Sequence, residues 1–455
     1  MNGGYIMENA KYAEWLSKDL EDNDLIKELQ QIKGNAEEIN DRFYRELEFG
    51  TGGLRGVIGA GTNRMNIYTI RKATQGLANY VTANWKDGSV AVSYDSRNKS
   101  DIFAREAARV LAANGVKVHI YSELMPTPCL SFAVRELKCS MGIMVTASHN
   151  PAKYNGYKAY GADGCQITNE TADAVLCNIK SVNEFDDVHV MDFQQAVERG
   201  MISYISEDVV EAFYNNVLRQ SINRDVVQSC GFKLVYTPLN GTGNKPVREI
   251  LKRIGLSNVT VVKEQENPDG NFTTCPFPNP EIVEALDLGL KLCKETDADL
   301  LLATDPDCDR VGIAVKYQEK YKLLTGNEVG ALLLQYIASQ RKEKGTLPKR
   351  PIAVKTIVTT DLINCIAAEY GIEVVDVLTG FKYIGEKIGK LEKSGEESRY
   401  VFGFEESYGY LCGTYVRDKD AVVSSMLICE MAAFYANQGK NLVEVLQELY
   451  KKYGY

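Results

Sequence analysis

The sequence predicts an α/β fold: three consecutive similar α/β domains with mixed, mainly parallel sheets around a shared cleft. Three observations predict it. Strand-like and helix-like segments alternate from about residue 89 onward, which is the rhythm of βαβ units. Three short apolar runs (141–145, 298–303 and 400–402) each lead into a loop dense in polar or charged residues. Ligands of α/β sheets bind just beyond the carboxyl ends of strands, so three such loops suit one cleft at a common interface. The length of 455 residues agrees, being too great for one ordinary core.

In chain order, Ser89 to Tyr94 reads as a strand, Asp101 to Asn114 as an amphipathic helix stopped by Gly115, and Val116 to Tyr121 as the next strand. The rhythm returns with a strand over 232–236, the turn Pro238 to Gly243, a helix over 246–254 and a strand over 259–262. A third instance runs through 352–354, a helix from Asp361 to Tyr370, and a strand over 373–377. Residues 267–281 form a long turn-rich loop ahead of a helix over 281–295. The charged run Glu184 to Asp187 and the Arg199-Gly200 break, then the polar run Gln318 to Lys322, divide the chain into 1–205, 206–323 and 324–455.

Composition narrows the class. Hydrophobic residues are 45% and charged residues 25%, the balance of a soluble globular protein. A net charge of -9 with scattered Lys and Arg argues against nucleic acid or an anionic membrane as main partner. Eleven cysteines without a CxxC pair fit reduced thiols rather than a disulfide framework. No signal peptide is read at the start, and no apolar run approaches the ~20 residues of a membrane span. The best stretch, Met426 to Tyr435, is interrupted by Glu430. A cytoplasmic chain is expected; its oligomeric state is not legible.

Asp305, Asp307 and Asp309 alternate after a strand, and carboxylates so crowded repel unless a cation offsets them. An all-carboxylate set suits a hard cation such as Mg²⁺. An EF-hand is excluded, because the positions that need Gly and Glu hold Arg310 and Lys316. Ser148 and His149 lie in Thr146-Ala-Ser-His-Asn-Pro151, directly after the apolar run 141–145. The flanking glycines of a serine-hydrolase elbow are missing. With Lys158 nearby and an acidic loop elsewhere, phosphate chemistry is the better reading. Glu405-Glu406-Ser407 between glycines can accept hydrogen bonds from sugar hydroxyls, and the Gly-rich loop Phe49 to Gly56 can present Arg55 to an anion. That segment lacks the strand-then-GxGxxG order of a dinucleotide site.

Together these loops resemble the α-D-phosphohexomutase family. Thr146 to Pro151 with Asn155, Gly156 and Lys158 is similar to its phosphoserine loop, and Asp305 to Arg310 to its magnesium loop. Gly403 to Gly409 resembles its sugar-binding loop, and Leu378-Thr379-Gly380-Phe381-Lys382 its specificity loop. Leu47 to Gly56 and Asn63 to Asn66 look like the phosphoglucomutase and phosphopentomutase branch. The similarity runs from about residue 40 to the end.

The resemblance implies that 1–205 is a phosphoserine-loop domain with an N-terminal helical extension, 206–323 a magnesium-loop domain and 324–455 a sugar-binding-loop domain. It implies Ser148 as phosphoserine and, with Asp305, Asp307 and Asp309, as a ligand of Mg²⁺. Arg55, His149, Lys158 and Arg310 would lend electrostatic help or move protons. Thr379, Gly380, Lys382, Glu405 and Ser407 would hold a sugar phosphate, with glucose 1,6-bisphosphate as intermediate and activator. Interconversion of glucose 1-phosphate and glucose 6-phosphate is the expected reaction. Mannose or pentose phosphates are the alternatives, as is non-catalytic binding of a sugar phosphate. Family members carry a fourth domain that grips the far phosphate, and this sequence stops about where that domain would begin. A much-weakened mutase is expected of the chain acting alone, since remote binding contributes to orientation and rate.

Overall fold

The computed structural model describes residues 2–50 and 52–454, with side chains from residue 10 onward. Among the described residues fifteen strands form three sheets, each unit wrapping its own sheet in helices. The first sheet contains β1 (Gly53–Val57), β2 (Ser89–Tyr94), β3 (Lys117–Ile120), β4 (Met141–Val145), β5 (Tyr154–Gly161) and β6 (Ile202–Tyr204), in the order β1-β5-β4-β2-β3-β6. The second contains β7 (Leu234–Thr237), β8 (Val259–Val261), β9 (Leu300–Thr304), β10 (Val311–Tyr317) and β11 (Lys320–Leu324), in the order β11-β10-β9-β7-β8. The third is β13-β12-β14-β15, built from β12 (Ile352–Thr356), β13 (Glu373–Val377), β14 (Tyr400–Glu405) and β15 (Gly409–Leu411). Seven pairings are parallel and five antiparallel, so the sheets are mixed and mainly parallel.

The antiparallel pairings recur at one place. In every sheet a central strand with a parallel neighbour reverses into an antiparallel one: β4 into β5, β9 into β10, β14 into β15. The central strands β4 and β9 are buried along their whole length, as their unbroken apolar sequences require. One continuous core joins the units, running from Phe132 through Phe213 and Leu332 to Met426. A second core joins the first sheet to the N-terminal helices, with Trp15 edge-on to Phe43, Tyr68 and Phe185.

Several expectations change in detail. The helix expected over 281–295 begins later, as a 3₁₀ turn at Val283–Leu286 followed by a helix over Asp287–Thr296, because Ile282 is still extended. The third central strand runs on to Glu405 rather than ending at Phe402. The Gly-rich segment is an edge strand at Arg55 rather than a loop (its Thr51 lies outside the described residues). Gly53 and Gly56 permit this, since a Cβ on Gly53 would sit 2.2 Å from the Tyr157 carbonyl oxygen and one on Gly56 2.7 Å from Leu47. Glu430, which breaks the apolar run, lies within helix Ala421–Ala436. It is fully buried and accepts hydrogen bonds from the Ile222 and Asn223 amides at 2.8 and 2.9 Å, and from the Tyr336 hydroxyl at 2.8 Å. None of the eleven cysteines is paired. Among the described residues no helix is long and apolar enough to cross a membrane.

Candidate active site

The reversal of β4 into β5 carries Ser148 at φ +53°, a left-handed conformation uncommon for a residue with a side chain. Local bonds impose it. The Ser148 amide donates to the Thr146 hydroxyl oxygen at 2.8 Å, and that hydroxyl donates to Asp95 at 2.6 Å. Gly156, on the returning strand, faces the Thr146 carbonyl so closely that a Cβ there would come within 2.4 Å. Ser148 Oγ therefore stands in a fixed position, 3.3 Å from His149 Nδ1.

The reversal of β9 into β10 is an equally tight knot. One oxygen of Asp305 accepts from the Asp309 and Arg310 amides at 3.0 and 2.9 Å. The neighbouring unit closes it from outside: the first residue of helix Thr127–Glu136 donates its amide to the Asp307 carbonyl and its hydroxyl to the Asp307 carboxylate. Ser148 Oγ donates to the other oxygen of Asp305 at 3.0 Å. Lys158 lies 2.9 Å from Asp307 and 3.8 Å from Asp309. On the far side Lys419 reaches Asp309 at 3.1 Å and Asp418 at 3.0 Å, while Asp418 accepts from the Tyr160 hydroxyl at 2.7 Å.

Ligand atoms of Asp305, Asp307 and Asp309 all lie within 4.8 Å of one another, and all three residues are buried. Such a trio does not ionise fully by itself. Burial, then the charges of Asp307 and Asp309, drives Asp305 well above the carboxylate range. Burial, then Asp307, raises Asp309 as well. Burial also opposes the charge on Asp307, but Lys158 and hydrogen bonds from Asp305 and Lys158 outweigh it and hold Asp307 low. Oδ1 of Asp307 and Oδ1 of Asp309 are buried without a hydrogen-bond partner. A buried anionic all-oxygen set with two orphaned oxygens fits a hard divalent cation.

The third reversal brings Glu405 to the end of β14, where it accepts from the Gly380 amide at 2.9 Å. Burial raises its pKa, with Lys419 and the Gly380 amide opposing. Glu406 turns away to the hydroxyl of Thr356 at 2.9 Å. A cleft of about 500 Å³ is lined by Arg55, Ser148, His149, Lys158, Asp309 and Arg310 from the first two units. Thr379, Gly380, Glu405, Ser407 and Lys419 of the third unit complete the lining. Asp305 and Asp307 lie beneath its floor.

Lys382 is not among the residues that line the cleft. It is the second residue of helix Phe381–Lys393, and its Nζ is directed to Asn169 of the first unit at 3.2 Å. Sequence reasoning missed Lys419 and Asp418, whose signal is a lysine between two aspartates just before the apolar helix Ala421–Ala436. It also missed Asp95 and Arg97, although they follow β2 as the other loops follow their strands.

Fold and cleft define the class: an α/β protein in which three similarly built sheets lend one strand-reversal loop each to a site equipped for a cation. Models of the phosphoglucomutase/phosphomannomutase alpha/beta/alpha domains I, II and III match residues 46–185, 211–318 and 325–453. A phosphoglucomutase of Staphylococcus saprophyticus is 37% identical over 432 residues, covering 95% of this chain and 77% of the relative. One of Staphylococcus haemolyticus is 37% identical over 90% of this chain and 73% of its own length. A crystal structure from Thermus thermophilus, of a protein provisionally assigned as a phosphomannomutase, superposes with a TM-score of 0.75 at 28% identity. It covers 90% of this chain and 84% of that one. The chain belongs to the phosphoglucomutase/phosphomannomutase family, of the α-D-phosphohexomutase superfamily. It is thereby a phosphotransferase of the isomerase class.

Proposed function

We propose that the chain interconverts α-D-glucose 1-phosphate and glucose 6-phosphate, with Ser148 as phosphoryl carrier and Mg²⁺ as cofactor. The observation that carries this is the 3.0 Å bond from Ser148 Oγ to Asp305 within the carboxylate trio, in the cleft that Glu405 and Ser407 also line. Residues 1–205, 206–323 and 324–455 would supply the carrier, metal and sugar loops. The identity to phosphoglucomutases supports glucose over mannose or a pentose.

In this reading the bond from Ser148 Oγ to phosphorus breaks as a sugar hydroxyl oxygen forms its own bond to that phosphorus. The proton of that hydroxyl passes to the departing Ser148 Oγ, which becomes a hydroxyl. The resulting glucose 1,6-bisphosphate returns its other phosphoryl group to Ser148 after turning over, the proton then passing back to the sugar oxygen. Asp305, Asp307 and Asp309 would hold Mg²⁺ with an oxygen of the Ser148 group; bound there, the cation offsets charge on the transferring group. Lys158 and Arg310 are fixed beside the trio by Asp307 and Glu281 and would neutralise phosphate oxygens. Arg55 reaches in from β1 for the same purpose. Glu405, Ser407, Thr379 and Gly380 would hold sugar hydroxyls in both orientations. Unpaired cysteines support a cytoplasmic setting.

The test is a coupled assay for glucose 6-phosphate from glucose 1-phosphate, with Mg²⁺ and glucose 1,6-bisphosphate, alongside intact-mass analysis of Ser148. Turnover with about one phosphate per chain is expected. Turnover only with mannose 1-phosphate or ribose 1-phosphate would move the substrate assignment. A folded chain that binds sugar phosphate but never turns over would leave a binding protein.

A further inference from the structure

We infer that Arg97 is a positioning residue that holds the Ser148 loop in its reactive geometry, and that the second unit's loop around Phe272 acts as its lid. The inference rests on Ser148 being the phosphoryl carrier. Arg97 follows β2, is 3% exposed and is absent from the cleft lining. Its guanidinium spends its hydrogen bonds on one neighbour. One nitrogen donates to the carbonyls of Pro151 and Tyr154 at 3.0 and 3.1 Å; the other donates to the carbonyl of Ser148 at 2.5 Å and to that of Asn150. A single planar group thus ties four carbonyls of the turn that β4 makes into β5. Arginine alone among side chains offers so many donors in a rigid fork.

The same group is tied to Ser148 from its other side. Asp95 lies 3.4 Å from Arg97 Nε, accepts from the Arg97 amide at 3.0 Å, and accepts from Thr146, whose hydroxyl oxygen receives the Ser148 amide. Both backbone polar groups of Ser148 therefore lead to the Asp95–Arg97 pair. Strain at φ +53° persists only where the surroundings over-determine it, and this frame supplies that constraint.

The lid comes from the turn-rich loop of the second unit. The Phe272 ring, completely buried, lies over the guanidinium with its centroid 5.0 Å from Arg97 Cζ. Asn98 donates to Asn271 at 2.8 Å, and Gly270 packs so close that a Cβ would fall 2.4 Å from the Asn98 side chain. Asp269 stiffens the turn by accepting from the Asn271 and Thr273 amides, each at 2.9 Å. The loop thus seals the clamp at the seam that also carries Ser148 and Asp305. Seating of the second unit on the first and seating of the phosphoryl carrier are then one event.

The experiment measures single-turnover phosphoryl loading of Ser148 from glucose 1,6-bisphosphate with Mg²⁺ by intact mass, together with the dissociation constant for glucose 6-phosphate. Arg97→Lys has three donors on one point and cannot span four carbonyls. Its loading rate should fall about a hundredfold, the scale of a slight misplacement, with sugar-phosphate affinity within about twofold of wild type. Phe272→Leu keeps the packing but loses the aromatic face, and should lower the same rate about fivefold with affinity unchanged. If Arg97→Lys does not fold, Phe272→Leu decides alone. Wild-type loading rates in the folded variants, or equal losses of rate and affinity, would overturn the inference. A wild-type chain that takes up no phosphate overturns both this inference and the reading it rests on.

Discussion

The seam around Ser148 and Asp305 and the rim around Thr379 and Ser407 descend from the same local device, a central strand reversing into an antiparallel neighbour. They are finished differently. At the seam, Ser148, Asp305, Asp307 and Asp309 are buried, and the first unit's Lys158 and Thr127 bind the second unit's aspartates directly. At the rim, Thr379 is exposed, Leu378 is 58% exposed, and one bond from the Gly380 amide to Glu405 joins the specificity loop to the sugar loop. Groups that must meet a developing charge act best when already placed. Groups that must accept a sugar in two orientations need latitude. Under the proposed function the difference suits transfer at the seam and selection at the rim.

The largest expected effect follows from breaking the seam. Asp307→Asn removes the partner of Lys158 and one donor of the carboxylate trio while keeping the shape. Charge stabilisation by a bound cation is worth several kcal/mol, so the mutase rate should fall about a thousandfold. Sugar-phosphate affinity should change little, because Asp307 lies beneath the cleft floor. The fold should persist, since the change relieves repulsion among three buried acids. Steady-state assays with a thermal melt check both parts; a loss below tenfold would break the division between seam and rim.

A smaller and opposite signature is expected from the rim. Glu405→Gln still offers an oxygen to the Gly380 amide but loses the charge proposed to hold sugar hydroxyls. Loading of Ser148 from bisphosphate should remain within about threefold. kcat/KM for glucose 1-phosphate should fall between about tenfold and a hundredfold, the scale for one charged hydrogen bond. If loading falls as steeply as kcat/KM, Glu405 belongs with the seam.

The sequence made one of these regions more legible than the other. Ser148 and the aspartates stand in compact runs directly after apolar strands, so strand polarity marks both loops and charge crowding marks the aspartates, while the role of Ser148 comes from the resemblance. Arg97 and Lys419 were hidden because their roles exist only across the fold: one ties carbonyls distant in sequence, the other joins an aspartate of the preceding unit. Lys382 is the converse case. It sits inside a motif that faces the cleft, but helical geometry rotates its side chain toward Asn169. The Gly-rich segment is half of each: Gly50 and Gly52 lie in the loop that lines the cleft, while Gly53 and Gly56 serve the close strand pairing that carries Arg55. The overall fold was legible since it depends on periodicity; the clamps were not, since they depend on contacts between units.

The smallest expected effect sharpens what His149 does at the seam. Burial, and then the charges of Arg310, Arg55 and Lys158, lowers its pKa to about 3, with Asp307 opposing. The imidazole is therefore neutral from about pH 4 upward, on both sides of any acid limb between pH 5 and 7. An ordinary histidine near pH 6.5 would itself produce such a limb; this one is expected not to. His149→Gln should lower kcat only about two- to fivefold, through loss of the contact 3.3 Å from Ser148 Oγ. The acid limb of kcat/KM against pH should keep its midpoint. A midpoint moved by a unit, or a limb that vanishes, would mean that His149 titrates during turnover and that the cationic surroundings of Ser148 relax when substrate enters.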